Sequence, residues 1–131
     1  MKRSTTIATI AVTCGLSFTA GIGVMWAQQQ QTSHRETQFE NGQMEAHYSL
    51  VMPHQPLTFH RHDHGRTIVA LTDGVLKAVD KSGKVLHTYT WKKNHAYFYE
   101  KDPPGQMHAD VNDTDKPIEV MVVELRGDDK K

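Results

Sequence analysis

An all-β architecture, a two-sheet jelly roll or small barrel, is the fold class this sequence predicts, and three observations predict it. Short runs rich in Val, Ile, Tyr and Thr recur along the chain. Clusters of Gly, Pro, Asn and Asp separate them, and past the N-terminal region no segment carries a helical apolar period. The runs are Met44–Met52, Leu57–His62, Thr67–Thr72, Val75–Val79, Val85–Thr90, His95–Tyr99, Met107–Val111 and Ile118–Leu125. Eight strands in about 85 residues suit a jelly roll or small barrel. Strand count alone equally allows an immunoglobulin-like sandwich, so motifs have to decide.

The connections support the strand boundaries. Asp80-Lys81-Ser82-Gly83 is a hairpin turn in which Gly83 supplies the positive φ that closing residues often need. Asp73-Gly74 is a second turn signal, and Asn112 to Pro117 is a polar loop before the last strand.

The N-terminal region has a different composition. Lys2 and Arg3 precede an uncharged, largely apolar run from Ser4 to Gln31, the build of a secretory signal. Ala27 is the best cleavage point, although Met25 is larger than such a site prefers. The run also reaches the roughly 20 residues needed to span a bilayer, so residues 1–27 read as a signal peptide or a membrane anchor. In both cases the remaining chain is exported, to the periplasm or cell envelope of a bacterium. Cys14, the only cysteine, lies inside this leader, so the exported part has no disulfide and relies on its core, a metal or a partner subunit. Residues 28–40 are polar and glutamine-rich and read as a linker. The domain is expected over 41–127, and 128–131 as a charged tail.

The chain carries 15 basic and 15 acidic residues, and losing Lys2 and Arg3 leaves 13 against 15. That balance removes the electrostatic case for nucleic-acid binding. The nine histidines are the unusual feature. In Phe59-His60-Arg61-His62-Asp63-His64 the side chains of His60 and His62 share one face of a strand, about 7 Å apart along the chain, where two imidazoles can converge on one ion. A lone His-x-His pair equally describes two surface residues. The second segment, Pro103-Pro104-Gly105-Gln106-Met107-His108, changes that weighting, because its turn delivers a third histidine from a distant part of the chain.

In these two segments the sequence resembles the cupin superfamily in its small, single-domain form. The first cupin motif runs Gly-x5-His-x-His-x(3–4)-Glu-x6-Gly, and the second Gly-x5-Pro-x-Gly-x2-His-x3-Asn. His60 and His62 fill the histidine pair, Thr67 stands where the motif has Glu, and Gly74 closes it. Pro103, Gly105, His108 and Asn112 match the second motif at every interval. Its leading Gly is absent. Strict spacing puts Tyr97 there, and Asn94 is the better physical candidate because Asn tolerates the left-handed conformation. The resemblance spans Gln43 to Leu125 and implies a small cupin β-barrel, the double-stranded β-helix form of the jelly roll.

The resemblance also implies a divalent transition metal, Fe(II), Mn, Zn or Ni, held by His60, His62 and His108. Threonine is a poor substitute for the missing glutamate. The centre is therefore a three-histidine site, a site in which His64 supplies the fourth ligand, or a degenerate pocket. If Thr67 faces the interior, Val69 and Leu71 face it too and give an apolar floor. Arg66 is a candidate anion clamp and Glu100 and Asp110 are candidate acids, each with a surface role as the plainer reading. Trp91, Tyr97, Phe98 and Tyr99 read as core more readily than as a ligand platform. His34, His47, His54, His87 and His95 lack ligand spacing. The expected protein is an exported metal-binding domain that acts on or senses a small molecule, with non-haem oxygenase-like chemistry or a non-catalytic binding role. A homodimer is expected, since edge strands need covering.

Overall fold

The computed structural model describes residues 31–127. The leader at 1–27 with Cys14, the first residues of the 28–40 segment, and the tail at 128–131 lie outside the described residues. No helix occurs among the described residues, and so none there is long and apolar enough to cross a membrane. The strands are β1 (His34–Glu40), β2 (Met44–Val51), β3 (Arg66–Ala70), β4 (Gly74–Val79), β5 (Val85–Trp91), β6 (Ala96–Tyr99), β7 (Ala109–Val111) and β8 (Ile118–Leu125). They form two antiparallel sheets, one ordered β1-β2-β8-β3-β6 and the other β5-β4-β7.

The core lies between the sheets. Ile68, Val120 and Val122 from the larger sheet are buried in one cluster with Leu76, Ala78 and Trp91 from the smaller. Alternation explains the choice: in β8 Ile118, Val120 and Val122 are buried while Glu119, Met121 and Val123 are only half-buried. The turns form as the sequence predicts. Gly83 has φ 84° and Asn94, the residue in place of the missing motif glycine, has φ 64°.

Two expectations are corrected. The segment read as a linker contains β1, so the folded domain begins before residue 41. Every β1 residue is exposed, which leaves no apolar alternation to read, and the strand exists because its backbone pairs with β2. Conversely, Leu57–His62 is not a continuous strand. It touches the β7 segment through a single bridge, His60 to His108, and through the Leu57 N–H donating to the Asp110 carbonyl at 3.0 Å. Pro56, just before it, has no N–H to extend that ladder.

The register of the larger sheet positions everything that follows. Arg66 lies between Tyr99 and Glu124, and Ile68 between Tyr97 and Val122, which in turn faces His47. These residues share the inner face, apolar at one end and charged at the other. Thr67, between Phe98 and Val123, lies on the opposite face.

Candidate metal centre

His60 and His108 sit directly opposite one another on the bridged pair, each backbone N–H donating to the other's carbonyl at 2.9 Å. His62 follows two residues on, on the same face, and its backbone N–H donates to Asp102 Oδ2 at 2.8 Å. Ligand atoms from all three rings lie within 4.8 Å of one another, with His62 and His108 buried and His60 half-buried. Each Nδ1 already has an acceptor beside it. His60 Nδ1 donates to the Thr58 carbonyl at 2.8 Å, and His62 Nδ1 donates to Glu124 Oε2 at 2.8 Å. His108 Nδ1 lies 3.4 Å from Asp102 Oδ2. Carbonyl and carboxylate oxygens only accept, so in the neutral imidazole the proton belongs on Nδ1 and the lone pair on Nε2. That is the tautomer a metal requires, and such outer carboxylates are the usual means of fixing it.

The electrostatics favour the ligand-ready form of His60 and keep the two outer carboxylates charged. Burial pushes the His60 imidazole down to about 4, so it is neutral at pH 7. Burial alone would raise the Asp102 carboxyl, but His108, the His62 N–H and Arg66 outweigh it and hold it at about 2. Glu124 also stays below its ordinary value, because the His62 bond and charge together with Arg66 overcome the effect of burial. The rings border a cavity of about 30 Å³, floored by Ile68, Leu76, Val120 and Val122. That volume admits an ion with about one or two waters. Arg35 and His47 line both this cavity and an open, polar cleft of about 710 Å³. Arg35 donates to His47 Nε2 at 2.7 Å, and burial, reinforced by the Arg35 charge, lowers His47 to about 4.

No family model matches the chain, and no curated protein matches it by sequence. Solved structures do. A cupin domain from Bordetella pertussis Tohama I matches with a TM-score of 0.62 at 18% identity, over 76% of this chain and 98% of that one. A double-stranded β-helix protein from Klebsiella pneumoniae matches with a TM-score of 0.53 at 21% identity, over 74% and 79% of the two chains. A cupin-family protein from Methanocaldococcus jannaschii gives 0.54 at 11% identity, over 76% and 84%. The fold is the cupin fold. Identities this low speak for architecture, so the chemistry has to be argued from the residues of this cupin domain.

The expected alignment of the first motif is corrected by the strand's phase. Buried positions in β3 are Arg66, Ile68 and Ala70, so Thr67, Val69 and Leu71 do not build the pocket. The inward residue is Arg66, at the shorter of the two spacings that the motif allows before its glutamate. A guanidinium thus stands where cupins place a carboxylate. Arg66 is not a surface residue: it is 3% exposed, donates to the Glu100 carbonyl at 3.0 Å and lies 3.6 Å from Asp102. Among the described residues the three-histidine cluster does not include His64, which lines the open cleft with Asp63 and Glu124.

The remaining candidates divide. Asp110 borders the centre, with its carboxylate 3.5 Å from His60 Nε2 and 3.8 Å from His108 Nε2. The Glu100 residue is exposed and contributes its backbone carbonyl. Trp91 is core, stacked on Tyr89 at 5.2 Å and donating to Tyr99 Oη at 3.0 Å, while Phe98 is exposed. His47, Asp102 and Glu124 were not singled out. For His47 alternation gives no signal, because β2 is buried at both parities, at Ala46 and Leu50 as well as at Ser49 and Val51. No local signal marks Asp102 or Glu124, whose bonds to His62 span 40 and 62 residues of sequence.

Proposed function

We propose that this cupin domain binds a divalent transition metal through His60, His62 and His108 and there acts on, or senses, a small molecule. The observation that carries the reading is the engagement of all three Nδ1 atoms, which leaves three Nε2 lone pairs at one small cavity. His60, His62 and His108 would hold such an ion through three nitrogens, and with so few protein ligands it would supply non-haem Fe(II) oxygenase-like chemistry. Mn, Zn and Ni suit the same donors. In this reading Asp102 and Glu124 hold His108 and His62 in position. Arg35 and His47, shared by the cavity and the cleft, meet the ligand as it enters.

A second reading, a binding module without catalysis, is favoured by Arg66, whose positive charge replaces a ligand carboxylate beside the centre. Metal content separates the two. Protein prepared without a histidine tag and reconstituted with Fe(II), Mn(II), Zn(II) or Ni(II) is expected to retain close to one ion per chain. His60→Ala, His62→Ala or His108→Ala should each lose it, while His87→Ala and His95→Ala keep it. Negligible retention by the wild type would leave the binding module. Export of the domain is supported by the leader composition, and N-terminal sequencing of secreted protein tests it. Homodimerisation is supported by the exposed edge strand β1, and a monomer mass in light scattering would refute it.

A further inference from the structure

We propose that Asp110 is the fourth protein ligand of the centre, making it a three-histidine, one-carboxylate site whose carboxylate comes from the second motif. The proposal rests on the metal-centre reading and deepens it. Arg66 occupies the interior position from which a first-motif glutamate would reach the ion, and it is tied to Glu100 and Asp102. No carboxylate can come from there. Asp110 lies two residues beyond His108, so on an extended segment both side chains take the same face. Its two oxygens address two different rings: Oδ2 is 3.5 Å from His60 Nε2, and Oδ1 is 3.8 Å from His108 Nε2.

The proton arrangement turns this proximity into an argument. With Nδ1 of His60 donating to a carbonyl, and Nδ1 of His108 beside a carboxylate, a neutral imidazole at either position turns its Nε2 lone pair toward Asp110. Two lone pairs and a carboxylate then converge without a donor among them. Acceptors packed in this way repel unless a proton or a metal cation lies between them, and three imidazoles with a carboxylate are the donor set that a divalent metal takes. Asp110 lies outside the cluster formed by the three rings, so its carboxylate would have to turn toward an ion held about 2.0–2.2 Å from each Nε2. The resulting set carries one negative charge against a divalent ion, with Arg66 and Arg35 at its edges.

The test uses Co(II) as the probe, with wild type, Asp110→Asn and Asp110→Ala. Titration calorimetry should show affinity falling on the order of 100-fold or more in both variants, at or beyond the top of the ~10–100-fold range for groups that act through a ligand. The visible spectrum of the Co(II) that still binds should change, because an oxygen has left the coordination sphere. Metal-free Asp110→Asn should be at least as stable to urea as the wild type, since its amide can donate to the Nε2 lone pairs. Undiminished affinity in both variants would overturn the proposal and leave the three-histidine centre standing. Lower affinity with an unchanged Co(II) spectrum would also overturn it, by making Asp110 an outer partner. No Co(II) uptake by wild type would remove the metal-centre reading and the proposal with it.

Discussion

Asn112, which ends the second motif, is expected to anchor the strand that carries His108 and Asp110, and removing its amide should cost about 3 kcal/mol. The residue is 0% exposed. Its Nδ2 donates to the Val51 carbonyl at 2.9 Å and to the Lys116 carbonyl at 2.7 Å, and its Oδ1 accepts from the Thr114 N–H at 2.9 Å and Thr114 Oγ1 at 2.6 Å. Of these bonds only the one to Val51 is fully buried. Asn112→Ala strands that carbonyl at about 2 kcal/mol, while the loop groups can turn to water at a further ~1 kcal/mol in total. For a domain of this size the melting temperature should fall by on the order of 15 °C. Asn112→Asp keeps the shape but sets a carboxylate against two carbonyl oxygens, so at pH 7 it should cost more than Ala. Urea unfolding followed by the fluorescence of buried Trp91 measures both. Asp113→Ala, which breaks the exposed pair with Lys77, is the control and should leave the urea midpoint close to that of the wild type. The reasoning is refuted if Asn112→Ala behaves like that control, or if Asp is tolerated better than Ala at pH 7.

Three further outcomes are expected. His47 is neutral in the fold down to about pH 4 but titrates near 6.5 when unfolded, so its contribution is lost as pH falls from 6.5 to about 4 and is flat below. For metal-free protein this is worth ~3 kcal/mol, and His47→Gln should reduce the slope of the urea midpoint across that window, leaving the part that His60 contributes; parallel curves would contradict it. Gly74→Ala would bring a Cβ to 2.8 Å from Ile118 Cγ1 and 2.9 Å from Cδ1, in a fully packed place. It should lose about 1–3 kcal/mol, whereas Gly42→Ala, with nothing within 4 Å, should be near neutral by the same unfolding measurement. Glu124→Gln should lower metal affinity about 10–100-fold by weakening the hold on His62, and calorimetry showing no change would deny Glu124 that role.

The sequence by itself determined the strand-rich class, most strand positions, the left-handed turns at Gly83 and Asn94, and three histidines in two motifs. Those features are local: alternation, turn chemistry and spacing act within a few residues, and they survive in the fold because each agrees with its neighbours. Only the tertiary structure decided the phase of β3. A period of two shows that alternate residues share a face, but not which set faces inward, and a one-residue slip exchanges Arg66 for Thr67. The choice rests on pairing with β6 and β8, which no stretch of β3 contains. The same holds for β1, a strand through its hydrogen bonds to β2 alone, and for Asp102 and Glu124. A buried charge is stable only beside its partner, and here His62 reaches both carboxylates from a distant part of the chain.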